Sequence, residues 1–557
     1  PGDRFEVLAE FYAGHGPTPD STGPVPHGTD PIPAVSGPQA AVGRSSYGIW
    51  NEEAYLLWVD LETLYQLRDN IDQDSLRVAE IDRALREFTL AADLELPEPA
   101  LSDSIAEGRR ILAPALACVN GSTAPTMYAF GHGHLDLAWL WPLAETERKA
   151  ARTFANQLVL ASEYPSHRYL QSQPYLYRIV KEKYPALYAR VKKAVAAGTI
   201  VAEGGMWVEA DTNLTGGESL IRQFLHGKRF FREEFGVDSK LLWLPDVFGY
   251  SGALPQILSG CGIEFFSTSK IFWAYHGEEL FPYNTFLWEG IDGTRVLCHF
   301  CGDYNSHTVP AQVVKLWNGR GQKDGISSRL YPFGWGDGGG GPDRDHLEFL
   351  LREENLEGMP KMRLASPVEF FEELKRNGPP EAVYTGELYF QAHRGTYTSQ
   401  ARTKRGNRLS EIALREAELW STIASAETEY RYPAEELRQL WEKGLLCQFH
   451  DILPGSSIAR VYREAEAAYR DVIDRADSTA KAAMKRLSEG EDGFSAVFNS
   501  LSWERRTLVE LPGGYRRAFT SGGEELPVQS FEGATYVEAT LPSWLNSSAF
   551  TSTPEST

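Results

Sequence analysis

The sequence has few cysteines and no long apolar run. Its 557 residues include five cysteines, and only Cys298 and Cys301 are spaced as a C-x-x-C pair. Without a second pair they do not complete a four-cysteine zinc site, so we interpret them as small buried residues rather than a redox centre. No segment approaches the roughly 20 consecutive apolar residues of a membrane-spanning helix. We therefore expect no membrane partner.

Basic residues are scarce relative to acidic ones. The chain has 76 Asp and Glu against 55 Lys and Arg, which gives a formal net charge of −21. Nucleic-acid binding needs cations that neutralise phosphates, so we expect no nucleic-acid partner. The hydrophobic content of 42%, with 12% aromatic residues, is enough to fill several cores and leave rings for a carbohydrate cleft. At this length we expect three or four domains.

Hydropathy patterns divide the chain into four regions. Residues 1–122 should contain an extended segment, rich in Pro, Gly, Ser and Thr over residues 14–43, followed by a helical cap. Over residues 123–390, short β-like runs alternate with amphipathic helices, which indicates a catalytic βα barrel-like domain. Residues 391–490 predict a three-helix bundle, and residues 491–557 predict the start of a truncated C-terminal β domain. The predicted fold class is therefore multidomain α/β.

The segment GHGHLDLAWLWP, residues 131–142, follows an apolar β-like run. Alternate side chains of an extended segment point the same way, so His132, His134 and Asp136 could face one pocket. Imidazole and carboxylate are ligands that zinc accepts. Trp139, which follows at once, could contact the apolar face of a sugar ring. The alternative is a loop in which two of these polar residues are solvated and one is packed.

Two further motifs place polar residues where a strand or helix ends. In KLLWLPDVFGYSGALPQIL, Pro245 ends a strand and Asp246 falls in the turn before a helix, with Phe248 close by. The alternative role for this aspartate is a helix N-cap. In QFHDILPGSSI, His450 lies where the backbone leaves a helix and could be a ligand. The alternative there is a capped pair of His450 with Asp451.

Two loops complete the set of motifs. PFGWGDGGGGPDRD, residues 332–345, lacks the Lys-Ser/Thr of a phosphate loop, and we interpret it as a close-approach loop that exposes Asp337 to a ligand. GELYFQAHRGTYTSQARTKRGNR could form a hydrogen-bonding wall for a polyol. Its candidate residues are His393, Arg394 and Tyr397.

Together the motifs resemble glycoside hydrolase family 38, the α-mannosidases, and specifically the branch with cytosolic and bacterial enzymes. The resemblance covers roughly residues 50–510, and its motifs follow in the expected order. They are HGHLDLAWLWP, WLPDVFGYSGALPQIL, GWGDGGGGP, HRGTYTSQA and FHDILPGSSI. This branch, together with the scattered cysteines, favours the cytoplasm as the location.

The resemblance implies one divalent metal ion, zinc first, with cobalt or manganese as alternatives, held by His134, Asp136, Asp246 and His450. It also implies that Asp246 is the nucleophile that attacks the anomeric carbon. The acid/base is expected at Asp337, which must stay protonated before the reaction. Lys270 stands where relatives of the secretory-pathway branch carry an arginine, so local hydrogen bonding should differ. The expected substrate-contacting residues are Trp139, Phe248, Lys270, Asp303, His393, Arg394 and Tyr397.

The function implied is a retaining α-mannosidase that removes terminal α-linked mannose from oligosaccharides or glycoconjugates through a covalent mannosyl-aspartate intermediate. The partner is then a mannose-containing oligosaccharide, and a homo-oligomer is possible. Two alternatives remain open at this point. One is a metal-dependent sugar-binding protein without catalysis, and the other is a metal-dependent deacetylase or amidohydrolase that uses a metal-bound water.

Overall fold

The computed structural model describes residues 48–273, 280–323, 325–488, 494–511, 514–543 and 548–554. The extended segment expected over residues 14–43 lies outside them. The described residues form two compact units. One runs to Lys404 and includes Leu445–Ala465, and the other comprises Arg405–Gly444 and the chain from Glu466 onward.

Three helices open the described part of the chain, where the helical periodicity predicts them. They are α1 (Glu52–Asn70), α2 (Leu76–Ala91) and α3 (Ala100–Leu116). Asn51 starts α1 because its side chain accepts a hydrogen bond from the Ala54 N–H, at 3.0 Å. The apolar faces of all three helices contribute to one buried core.

The remainder of the first unit alternates strands and helices. Its strands are β1 (Thr126–His132), β2 (Tyr169–Gln171), β3 (Ile200–Ala202), β4 (Leu241–Trp243), β5 (Phe265–Ser267), β6 (Thr285–Glu289), β7 (Arg295–His299), β8 (Ser328–Phe333), β9 (Lys361–Leu364) and β10 (Val383–Thr385). Its helices are α4 (Leu143–Glu163), α5 (Pro174–Lys183), α6 (Pro185–Ala196), α7 (Gly217–Phe235), α8 (Leu254–Gly260), α9 (Pro310–Asn318), α10 (Arg344–Glu353) and α11 (Pro367–Arg376). Short 3₁₀ helices span Lys270–Phe272 and Gln391–Tyr397.

The strands form two five-stranded sheets. In one, β1 pairs with β8 along one edge and with β9 and then β2 along the other, and β3 follows β2. The other has the order β10-β6-β7-β5-β4. The βα alternation is confirmed, but the pairing found in the described residues gives two sheets and does not confirm a barrel. The β6–β7 pair is antiparallel, because the few residues between these strands are too short for a parallel crossover.

Three further helices follow: α12 (Ala401–Glu427), α13 (Ala434–Leu446) and α14 (Ala459–Leu487). They form where the sequence predicts three amphipathic helices. Within the second unit, the Trp441 indole N–H donates to Glu418 at 2.8 Å, which joins α13 to α12. Lys443 and Asp471 form an ion pair of 2.7 Å between α13 and α14.

The C-terminal strands form two antiparallel sheets in the second unit. The strands are β11 (Phe494–Val497), β12 (Arg505–Leu511), β13 (Tyr515–Thr520), β14 (Glu525–Leu526), β15 (Val528–Phe531), β16 (Ala534–Leu541) and β17 (Ser548–Pro554). One sheet has the order β11-β17-β13-β14 and the other β12-β16-β15. Leu511, Ala518 and Val537 make a small buried cluster between them.

The cysteines and the hydropathy of the helices bear on two features noted in the sequence, the few cysteines and the lack of a long apolar run. All five cysteines are free, and Cys298 and Cys301 are both buried, as expected for small core residues. Among the residues that the structure describes, every helix is too short or too polar to cross a membrane.

Candidate active site

The candidate site lies at the carboxyl ends of three strands of the first unit. His134 and Asp136 follow β1, and Asp246 follows β4. Asp337 follows β8. The segment that carries His450 belongs to the same unit. The carboxyl ends of parallel strands are where α/β folds assemble their sites, because the following loops meet there.

The four predicted metal ligands form one buried cluster. Their donor atoms all lie within 4.8 Å of one another. Asp136 Oδ1 is 3.0 Å from His134 Nε2 and 3.4 Å from His450 Nε2. Asp246 Oδ2 is 4.0 Å from His134 Nε2 and 3.7 Å from His450 Nε2. Two imidazoles and two carboxylates therefore point at one small volume.

The donor set fits a divalent metal ion. His450 donates from Nδ1 to the carbonyl of Glu209 at 2.9 Å, so its Nε2 carries the lone pair that faces the cluster. That Nε2 is buried and has no hydrogen-bond partner within the described part of the chain. An unpartnered buried acceptor is costly unless a ligand satisfies it. Imidazole with carboxylate suits zinc and also cobalt or manganese.

His132 is not one of these ligands, contrary to the suggestion that all three polar residues of its motif face one pocket. Its Nδ1 donates to the carbonyl of Tyr304 at 3.1 Å, and its Nε2 accepts from the Trp243 indole at 3.0 Å. Burial lowers the pKa of His132 to about 4, so the ring is neutral at physiological pH. With both nitrogens engaged, His132 joins β1 to β4 and to the loop after β7.

The second carboxylate oxygen of Asp246 faces away from the histidines. Oδ1 accepts a hydrogen bond from the Tyr304 hydroxyl at 2.6 Å and forms an ion pair with the Lys270 ammonium. Burial opposes ionisation of Asp246, but its charged and polar neighbours, the Lys270 ammonium first among them, hold its pKa below the ordinary range. Lys270 is itself buried, and its Nζ lies 3.5 Å from the centre of the Trp273 ring.

Asp337 lies on the opposite side of the same tyrosine hydroxyl. Its Oδ1 is 3.3 Å from the Tyr304 oxygen and 3.3 Å from Asn305 Nδ2. Burial raises the pKa of Asp337, and the neighbouring charge of Asp136 adds to this. The loop reaches this position because Gly334 (φ 128°) has no side chain: a Cβ there would lie 2.5 Å from the His132 carbonyl oxygen.

Tyr304 and Asn305 are site residues that the sequence motifs did not reveal. The signal nearest to them was Asp303, expected to contact substrate. Its Oδ1 accepts from the backbone N–H groups of Tyr304 at 2.7 Å and Asn305 at 3.1 Å. Asp303 therefore shapes the turn that presents its two neighbours.

The remaining predicted substrate residues lie at different distances from the cluster. The ring of Phe248 is 5.7 Å from His450 and 4.7 Å from His393, so all three are neighbours. The Trp139 carbonyl accepts from Ile458 N–H at 2.9 Å, which places it beside the segment that carries His450. Two further candidate residues belong to the polar wall, Tyr397 and Arg394. Tyr397 accepts from Asn213 at 3.1 Å, whereas Arg394 is exposed, and no contact in the described residues links it to the cluster.

Two profiles of known protein families match the part of the chain that carries these residues. Residues 124–391 match the profile of the glycosyl hydrolases family 38 N-terminal domain. Residues 391–487 match the alpha mannosidase middle domain. The chain belongs to glycosyl hydrolase family 38. Its buried His/Asp cluster lies within the region that these two profiles cover.

Relatives of this family 38 chain include Alpha-mannosidase 2C1 of Homo sapiens, 37% identical over 85% of this chain and 45% of the relative. Alpha-mannosidase G of Dictyostelium discoideum is 40% identical over 76% of this chain and 38% of that protein. The chain thus spans less than half the length of these relatives. Among solved structures, an alpha-mannosidase from Enterococcus faecalis V583 shares the fold, with a TM-score of 0.63 and 18% identity over 78% of this chain and 55% of that chain.

Proposed function

We propose that the protein is a retaining α-mannosidase that hydrolyses terminal α-linked mannose from oligosaccharides or glycoconjugates. One observation carries the choice of mechanism. The Tyr304 hydroxyl is 2.6 Å from Asp246 Oδ1 and 3.3 Å from Asp337 Oδ1, so the two carboxylate oxygens can be at most about 6 Å apart. Retaining glycosidases separate their carboxyl groups by about 5–5.5 Å, and inverting enzymes by about 6.5–9.5 Å. The separation supports the retaining mechanism.

The first step forms a glycosyl-enzyme. Asp246, kept ionised by Lys270, attacks the anomeric carbon through Oδ1, and a C–O bond forms as the glycosidic C–O bond breaks. Asp337, whose pKa is raised, gives its proton to the leaving oxygen. The mannosyl group is then esterified to Asp246, and Asp337 is a carboxylate.

The second step returns the enzyme to its starting state. The Asp337 carboxylate takes a proton from a water molecule as that water's oxygen attacks the anomeric carbon. The bond to Asp246 breaks and its electron pair returns to the carboxylate. Mannose leaves with its original anomeric configuration, and Asp337 is protonated again.

The metal ion, zinc in this proposal and cobalt or manganese otherwise, would be held by His134, Asp136, Asp246 and His450. When bound, it would chelate two adjacent hydroxyls of mannose and so orient the sugar ring. The rings of Trp139 and Phe248 would cover the apolar face of that sugar. Lys270, Asp303, His393, Arg394 and Tyr397 complete the proposed substrate contacts. The proposed location is the cytoplasm.

The test is release of the chromophore from an aryl α-mannoside by the chain, before and after chelation, with zinc or cobalt added back. We expect turnover that chelation abolishes and metal restores, and at least a thousandfold loss in Asp246→Ala. The control is Asp238→Ala, which removes an exposed carboxylate paired with Arg232. A fluorinated mannosyl trap should label Asp246.

Three results would contradict the proposal. Turnover that survives in Asp246→Ala would show that Asp246 is not the nucleophile. Metal and mannose binding without turnover would favour the sugar-binding alternative. Metal-dependent amide hydrolysis without a trapped glycosyl-enzyme would favour the deacetylase alternative.

A further inference from the structure

Glu209 is a buried carboxylate that belongs to neither the proposed metal ligands nor the reacting groups. It lies in the segment between β3 and α7 and is 2% exposed. Its main-chain carbonyl and its side chain point to two different histidines of the cluster. The contact with His450 is made by the main chain of Glu209, and the contact with His134 is made by its side chain.

The backbone of Glu209 fixes His450. The His450 N–H donates to the Glu209 carbonyl at 3.2 Å, and His450 Nδ1 donates to the same oxygen at 2.9 Å. Two residues further on, the Asp211 N–H donates to the Gln448 carbonyl at 2.9 Å, and Ala210 and Phe449 form an antiparallel bridge. This short ladder sets the position of the His450 backbone, and the Nδ1 contact sets its tautomer.

The side chain of Glu209 faces His134 from the side opposite the cluster. Its Oε2 is 3.2 Å from His134 Nδ1, within ion-pair distance but without the geometry of a hydrogen bond, while His134 Nε2 faces Asp136. Its Oε1 accepts from the Ser172 hydroxyl at 2.6 Å, which anchors the carboxylate. The Glu209 N–H also donates to Gln173, at 3.2 Å. The carboxylate is therefore held in place before any ligand binds.

We propose that Glu209 is a positioning residue that orients both histidine ligands, His134 through its carboxylate and His450 through its carbonyl. This inference rests on the proposed metal site. A carboxylate behind a ligating imidazole fixes the tautomer and raises the basicity of the nitrogen that faces the metal, and loss of such a partner costs about 10–100-fold in metal affinity. Only the His134 contact depends on the side chain, so substitution tests that half alone.

The experiment compares metal affinity in three variants of the full chain. Glu209→Leu removes both the side-chain oxygens and the charge that face His134 Nδ1, whereas Glu209→Gln removes the charge and keeps an oxygen at that place. The control is Glu203→Gln, which alters another buried carboxyl of the same segment, one that contacts the N–H groups of Lys240 and Leu241. Zinc affinity is measured by competition with a chromophoric chelator, and the ligand field by the visible spectrum of the cobalt-loaded protein.

We expect Glu209→Leu to bind zinc about 10–100-fold more weakly and to shift the cobalt bands. Glu209→Gln should recover most of the affinity, and Glu203→Gln should stay within about twofold of the parent chain. Thermal unfolding of the metal-free proteins separates this effect from a loss of folding. If Glu209→Leu does not fold, Ser172→Ala takes its place, because it frees the anchored carboxylate and should weaken zinc binding in the same direction.

The outcomes distinguish this inference from the proposed function. A parent chain that binds no zinc overturns the metal site and this inference together. A parent chain that binds zinc, with folded Glu209→Leu or Ser172→Ala showing the same affinity and the same cobalt spectrum, overturns only the role of Glu209. A loss of affinity as large in Glu203→Gln would also overturn it, because the effect would then be general to the segment.

Discussion

Replacing Tyr304 by Phe should remove the hydroxyl that lies between the two carboxyl groups of the proposed mechanism and that contacts them unequally. The hydroxyl has one proton, and its shorter contact, 2.6 Å, is to Asp246 Oδ1. The longer contact, 3.3 Å to Asp337, leaves that carboxyl free to carry its own proton. Tyr304 thus favours an ionised Asp246 beside a protonated Asp337. The substitution keeps the ring, whose centre lies 5.4 Å from that of His134, and removes only the oxygen.

The size of the effect follows from the charge on the acceptor. A hydrogen bond to a charged group contributes about 1.5–3 kcal/mol. Since each 1.36 kcal/mol is a factor of ten in rate, the loss in kcat/KM should be about 10–150-fold. The loss should stay below that of Asp246→Ala, because the nucleophile itself remains.

The assay is kcat/KM on an aryl α-mannoside for the parent chain and for Tyr304→Phe, both loaded with metal. Zinc affinity, measured in parallel, should be unchanged within about threefold, because the hydroxyl contacts the oxygen of Asp246 that faces away from the histidines. A Tyr304→Phe variant with full activity would refute the reasoning. So would a variant whose activity fell only because it bound less metal.

Three further predictions concern ionisable groups. Because burial raises the pKa of Asp337, kcat/KM should fall as pH rises through that pKa. The Asp337→Asn variant should lose this alkaline limb when it is assayed on a substrate with a dinitrophenyl leaving group, which needs no proton. An alkaline limb that survives in the variant would contradict the assignment of Asp337. Lys270 holds the pKa of Asp246 down, so Lys270→Met should move the acid limb of the profile to higher pH, and an unmoved limb would show that Lys270 does not set it. Glu353 is fully buried, and its two carboxyl oxygens have no hydrogen-bond partner in the described residues. Burial raises the pKa of Glu353 in the folded state. The free energy of unfolding should therefore fall as pH rises above the unfolded pKa of about 4.3, because the carboxyl group then ionises more easily in the unfolded chain. Glu353→Met should therefore raise the melting temperature more at pH 8 than at pH 5, as measured by circular dichroism, and equal shifts at both would contradict this.

The four candidate metal ligands, which the structure brings into one cluster, could be singled out in the sequence because each lies in a motif that resembles family 38 and that follows the end of a strand or helix. Pro245 ends β4, so the position of Asp246 in the following turn is visible in one short segment. The same holds for His134 and Asp136 after β1. Local signals of this kind depend on neighbours along the chain, and the structure preserves them.

The contact between Asp246 and Tyr304 could not be predicted, because it depends on the order of strands in the sheet. β4 pairs with β5, and β5 pairs with β7, so the loop after β7 reaches the end of β4. The antiparallel β6–β7 pair does have a local signal, because Asp292-Gly293 between two β-like runs is typical of a hairpin turn. Glu209 has no such signal, because its contacts with the two histidines join segments far apart in the chain, 241 residues in the case of His450.

The late position of His450 in the chain has a consequence for synthesis and folding. A ribosome delivers three of the four proposed metal ligands by residue 246, and the fourth follows only after about 200 further residues. Closing so long a loop costs conformational entropy that grows with the logarithm of its length. A nascent chain can therefore offer an incoming ion only a three-ligand site until the ladder beside Glu209 has formed. Tight metal capture should then be a late folding event, which reports that the segment from Leu445 to Ala465 has reached its place.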